Sequence, residues 1–270
     1  MNSIDPQDYP FDPSRYSHPP LKAVHTFTNA VRTLIDVQLP VLQLPVEALP
    51  AFEPSQIGTI AGKLMDACLP QLDVITKDAL IDHGLTKAPG LLGEREGYPD
   101  YEHASTGLRA ELKLLYVDPP EGLVLKKPPT RREPSARLTQ KVTLKNVRPE
   151  RDLLMVLAYQ LRRRKDDPEL TSLTIIDVGV FPVIDCVLAR DRRLIEQGGR
   201  WYGDFETPVV LSKIGADKLS RGEAPDITAY GRKSSEGRDF NEDTNFGKLK
   251  RIPHPPLQMF LRQQVERAAL

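Results

Sequence analysis

Between Leu108 and Val117 the chain reads LRAELKLLYV, an alternation that suits a β-strand and little else. The strand period of two sends Arg109, Glu111 and Lys113 to one face and Leu108, Ala110, Leu112, Leu114 and Tyr116 to the other. One face packs, and the other presents acid and base. Two more apolar runs belong with this strand. Residues 173–180 read as a buried strand. Residues 153–161 are apolar all round and carry two readings. Pro149 at a first helical position, Glu150 and Asp152 in a first turn and the basic residues 162–165 at the far end favour a helix. The short length between charged bounds equally allows a buried central strand.

The chain has 270 residues, 40% of them hydrophobic, enough to bury one core with additions. Its 25 prolines fall mainly between the periodic segments, so connecting stretches should be loop-rich. Residues 1–20 read as an extended arm, and 21–39 as a helix with Val24, Phe27, Val31, Leu34 and Ile35 on one stripe. Four prolines between 40 and 54 predict irregular structure. Ser55 can then cap a second helix that Pro70 ends or kinks, and a further helical piece runs over 71–83 to Gly84. Beyond 180 the pattern predicts a helix over 182–197, a strand over 207–211, a short helix over 213–219 and a closing helix over 257–268. The expected organisation is an arm and helix over 1–54, a core over 55–221 and a loop-rich segment with its closing helix over 222–270, together one compact domain.

No stretch is apolar enough to span a bilayer and the opening residues do not resemble a signal peptide, so a soluble, cytoplasmic protein is expected. Cys68 and Cys186 lie far apart in apolar segments and read as buried thiols. The five histidines have no metal-ligand spacing, and no G-x-S-x-G, P-loop or G-x-G-x-x-G occurs. His103 reads as a solvated turn residue. Asp177 and Asp185 read as strand-end and helix first-turn residues, and Glu94 and Glu96 as possible auxiliary acids.

Lysine and arginine total 37 against 37 acids, so any polyanion must be met by local patches. One such patch runs from Lys126 to Arg151 and includes Lys127, Arg131, Arg132, Arg137 and Lys141, nine basic residues against Glu133 and Glu150. A charged run is ordinarily a solvated face. Here it directly follows the acidic strand, where a phosphate backbone would lie. A second polar segment, 222–256, carries Arg232, Lys233, Asn245 and Lys248, which can read base edges or grip phosphates. A flexible surface loop is an equal reading of that segment.

Glu111-Leu112-Lys113 is the one place in the sequence where an acid stands two positions before a lysine, and Pro99-Asp100 lies upstream of it. A turn at Thr106-Gly107 between them allows Asp100 to meet Glu111 across a strand pair. Two carboxylates held together are tolerated when a hard cation such as Mg²⁺ sits between them. A bland alternative is a half-exposed strand whose Glu and Lys are merely solvated.

With these residues in view, the chain resembles the PD-(D/E)xK nuclease superfamily, and within it the type II restriction endonucleases. The likeness is close over Asp100 to Lys113 and loose in the order of elements around it. It implies an α/β, restriction-endonuclease-like core, a mixed central sheet flanked by helices, with loop-rich additions. It further implies Mg²⁺-dependent hydrolysis of double-stranded DNA at a short specific sequence by a homodimer, with Asp100 and Glu111 as metal ligands and Lys113 as the catalytic lysine. A structure-specific or repair nuclease of the same superfamily, or a binding module without catalysis, are the competing readings.

Overall fold

The computed structural model describes residues 12–71, 82–88, 98–126, 136–138, 142, 144, 147–196, 221 and 247–268. Its centre is the ambiguous apolar run, which is a strand, β5 (Asp152–Arg163). Every residue from Asp152 to Leu161 is buried, because neighbours cover both edges and both faces. A helix would have had to bury its whole circumference to do the same. β5 pairs in parallel with β4 (Arg109–Tyr116) and antiparallel with β6 (Leu170–Pro182).

Among the described residues the sheet has six strands in the order β1-β6-β5-β4-β3-β2, with β1 at Gln38–Pro45, β2 at Leu85–Lys87 and β3 at Tyr101–His103. It is mixed but mostly antiparallel, β4/β5 being its parallel pair. Helices flank both faces. Leu153, Met155, Leu157, Tyr159 and Leu161 face a core that includes Phe27 and Val31 of α1 (Leu21–Arg32) and Ile57, Ala61 and Met65 of α2 (Pro54–Cys68). Leu154, Val156 and Ala158 face a second core with Ile184, Val187 and Leu188 of α3 (Val183–Glu196) and Leu257 and Phe260 of α4 (Pro255–Ala268). A sheet apolar on both faces needs helices on both, which gives an α/β three-layer arrangement. No helix among the described residues is long and apolar enough to cross a membrane.

Several expected boundaries move. The helix expected over 21–39 ends at Arg32; Asp36 adopts a φ of 66°, its N–H donates to the Ile175 carbonyl at 2.7 Å, and the chain turns into β1. The proline-punctuated segment is therefore not irregular throughout. β1 is an edge strand, where a residue without an N–H is tolerated, and its register shifts between Leu39 and Gln43. The cap of α2 is Glu53, not Ser55: the Glu53 N–H donates to Gln56 Oε1 at 2.8 Å, the Glu53 side chain accepts in return, and Pro54 takes the first turn. The edge strands β1 and β2 were not anticipated. The elements expected over 207–211 and 213–219, and most of 71–83, lie outside the described residues.

Described segments towards each end of the chain pack near α3. Tyr16 packs on the second core, and His18 Nε2 lies 2.9 Å from Asp185 Oδ1 in the first turn of α3. Near the other end, Arg137 and Lys248 form an antiparallel bridge, with Leu138 N–H donating to Gly247 O at 2.8 Å and Leu249 N–H to Ala136 O at 3.0 Å. Arg190 of α3 donates to the Leu138 carbonyl at 3.2 Å. A Cβ at Gly247 would collide with that same carbonyl. Gly247→Ala should therefore cost about 1–3 kcal/mol in urea unfolding; an unchanged midpoint would mean that the bridge adds nothing to stability.

Candidate metal-binding active site

The site is built on the β3/β4 hairpin. Gly107 supplies the left-handed φ of 65° in its turn, and His103 N–H donates to Leu108 O at 2.8 Å. Tyr101 stands opposite Ala110, and Asp100 directly precedes it, with its carboxyl close enough to that of Glu111 to act on it. The Asp100 N–H donates to Ala110 O at 3.1 Å, and Asp100 Oδ2 accepts the Leu112 N–H at 2.7 Å. The structure thus brings together all three residues of the proposed motif, on the sheet face that carries the second core.

Lys113 Nζ donates to Glu111 Oε1 at 2.6 Å. Glu111 Oε2 is buried and receives no hydrogen bond. Burial, together with the charge of Asp100, pushes the Glu111 carboxyl up to about 6 despite the Lys113 ammonium. Two carboxylates side by side are both acceptors; either a proton or a cation must reconcile them. Burial works against the Lys113 charge, but Glu111 and Asp100 outweigh it and raise the amine above its ordinary value. Lys113 is therefore an ammonium, with a side chain only 17% exposed.

A second cluster on this face was not foreseen. Arg109 Nε and NH2 each donate at 2.6 Å to the two oxygens of Asp152, which stands opposite it on β5. The Tyr98 hydroxyl also donates to Asp152, as does the Arg148 N–H at 2.8 Å, and the Arg109 guanidinium lies 5.7 Å from the Tyr98 ring centroid. Burial and the Asp152 charge push the Tyr98 hydroxyl well up, so it stays a donor. The available signal was the parity of Arg109 with Glu111. Asp152 was hidden by its reading as a helix first-turn residue, whereas it opens β5.

Other candidates fall elsewhere. His103 is not a solvated turn residue: it is buried on the opposite face, edge-on to Phe27 at 5.2 Å between ring centroids, with Nδ1 2.8 Å from Thr106 Oγ1. Asp177 lies in a strand as expected, β6, though in its interior; Gln264 donates to it at 2.7 Å and Arg267 pairs with it at 3.0 Å, tying α4 to the sheet. Asp185 is in the first turn of α3 as expected, and Cys68 and Cys186 are buried free thiols. Of the basic residues, Lys126 is exposed, 3.9 Å from Glu53, and Arg137 and Lys248 adjoin through their bridge. Lys127, Arg131, Arg132, Lys141, Arg232, Lys233 and Asn245, like Glu94 and Glu96, lie outside the described residues.

Among the described residues no three of His, Cys, Asp or Glu converge. Mg²⁺ does not need three: it commonly takes one or two carboxylates and keeps several waters. Asp100 and Glu111, with Oε2 open and buried, are a donor set of that kind. Compared with known proteins, the chain matches no family model, no curated protein and no solved structure.

Because folding raises the Glu111 carboxyl above its unfolded value of 4.5, its protonation stabilises the fold fully below that pH, and the stabilisation is lost as pH rises through about 6. In metal-free protein the loss should be about 2 kcal/mol across that window. The measurement is the difference in unfolding free energy between wild type and Glu111→Gln from pH 4 to 7.5; a difference independent of pH would refute the raised carboxyl.

Proposed function

We propose that the chain is a Mg²⁺-dependent endodeoxyribonuclease of the PD-(D/E)xK kind, a cytoplasmic type II restriction endonuclease that hydrolyses double-stranded DNA at a short specific sequence as a homodimer. The observation that carries this reading is the convergence of Asp100, Glu111 and Lys113 on one strand pair, with a buried carboxylate oxygen left open. A helix, α2, followed by the strands β2, β3 and β4 in a mixed sheet flanked by helices agrees with the core that the resemblance implies. Between β4 and β5 no helix is found among the described residues.

Asp100 and Glu111 would hold the ion. When bound, Mg²⁺ supplies a Lewis acid for the phosphoryl oxygens and a more acidic water. The chain's own contribution is positional and electrostatic. Lys113, beside Glu111, would hold or deprotonate a water and offset charge building on the phosphate. Arg137 and Lys248, from two basic stretches that meet at one bridge, offer phosphate contacts. A palindromic site with two strands to cut favours a two-fold pair of such subunits.

Asp100→Ala and Glu111→Ala should abolish plasmid cleavage while the protein still folds and, in Ca²⁺, still binds its site; full activity in either would end this assignment. Lys113→Ala should lose about 10²–10³ in single-turnover rate with binding retained, and Lys113→Arg should recover little, since a planar guanidinium does not replace a compact ammonium. A rate for Lys113→Ala close to wild type would favour the binding-module reading instead.

Neutralising Arg137 and Lys248 with glutamine should flatten the slope of log affinity against log salt by about 0.9 for each phosphate no longer paired with a cation. An unchanged slope returns both to an ordinary solvated surface.

A further inference from the structure

Side chains two apart on a strand stand on one face about 7 Å apart, within reach of a long cation. Lys113 makes use of this spacing in touching Glu111 Oε1 at 2.6 Å. Arg109 stands at the same spacing on the other side of Glu111, with a longer side chain, and the neighbouring Oε2 has no donor. A guanidinium swung onto that oxygen would make a charge-assisted hydrogen bond and neutralise the carboxylate, leaving a metal little to bind. Arg109 is instead turned aside and held by both oxygens of Asp152. Asp152 is in turn fixed by the Tyr98 hydroxyl and by the Arg148 N–H at 2.8 Å. Tyr98, Arg109 and Asp152 are all buried, so solvent does not compete for these hydrogen bonds.

Resting on the metal-binding reading of Asp100 and Glu111, we propose that Asp152 is a positioning residue that sequesters the Arg109 guanidinium and so keeps the open oxygen of Glu111 available to a divalent cation. Asp152 need not touch the ion to do this. A purely structural ion pair predicts a different pattern, in which losing Asp152 affects stability while the affinity of the folded protein for metal is indifferent to the charge at position 109. Sequestration predicts that the harm done by removing Asp152 is cured by also removing the arginine.

The experiment measures Mn²⁺ affinity by calorimetry on folded protein, without DNA, for wild type, Asp152→Asn, Asp152→Glu and the double variant Arg109→Gln/Asp152→Asn, together with a metal-free crystal structure of Asp152→Asn. Asp152→Asn should lose about tenfold to a hundredfold in affinity, the scale usual for residues that orient a metal's ligands, and its Arg109 should be found on Glu111. The Glu variant, which keeps a carboxylate for Arg109, and the double variant, which has no guanidinium, should bind close to wild type. Wild-type affinity in folded Asp152→Asn, or Arg109 still aimed at residue 152 in its crystal structure, overturns the proposal. If Asp152→Asn does not fold, loss of affinity in either the Glu or the double variant overturns it equally, since both deny the guanidinium to Glu111. Absence of Mn²⁺ binding by the wild type would instead strike the metal-binding reading, and the Arg109 position in the crystal would still decide whether Asp152 holds the guanidinium off Glu111.

Discussion

The structure depends first on a strand that has no exposed side. β5 is buried from Asp152 to Leu161, so it requires strands on both edges and helices over both faces. Once it is placed, β4 must lie in parallel on one flank and β6 antiparallel on the other, and residues 117–151 must make the crossover that a parallel pair demands. The parallel pairing also sets Arg109 directly opposite Asp152. The geometry of the acidic face is thus a by-product of how the most apolar segment is enclosed.

On that face charge is balanced within a few ångströms rather than by solvent. The two carboxylates Asp100 and Glu111 are offset by one ammonium, Lys113, and the guanidinium of Arg109 is offset by Asp152. The second pair is closed, since both oxygens of Asp152 and the Nε and NH2 of Arg109 are engaged. The first is left one positive charge short, and burial, with the Asp100 charge adding to it, raises the Glu111 carboxyl. Buried ion pairs seldom add net stability over apolar packing, so an acidic pair with one buried and one half-buried member is not accounted for by folding stability.

How much of this was legible in the sequence differs by element. The strand carrying Glu111 and Lys113 declared itself by alternation, and the turn at Thr106-Gly107 fixed the meeting with Asp100, so the core of the candidate site could be read directly. Residues 153–161 could not be assigned, because an all-apolar run has no periodicity; only the pairing with β4 and β6 decides it. β1 was obscured by its prolines, which argue against a strand unless the edge position is known. His103 was misjudged because a polar residue near a turn is ordinarily solvated, and Asp152 was weighed only as a helix first-turn residue in one of two open readings; tertiary partners, Phe27 for one and Arg109 for the other, draw these two inside.

The ends of the sheet bear on how copies of this chain can associate. Of the described strands, β2 is only three residues long, and β1 contains two prolines and an interrupted register. Short length, missing N–H groups and local irregularity are the devices that deny a neighbour a template for continuing the ladder. Two copies would therefore not fuse their described edges into one continuous sheet. In the two-fold pair proposed above, the contact would then lie away from these described edges and leave the strands that carry the acidic hairpin undisturbed.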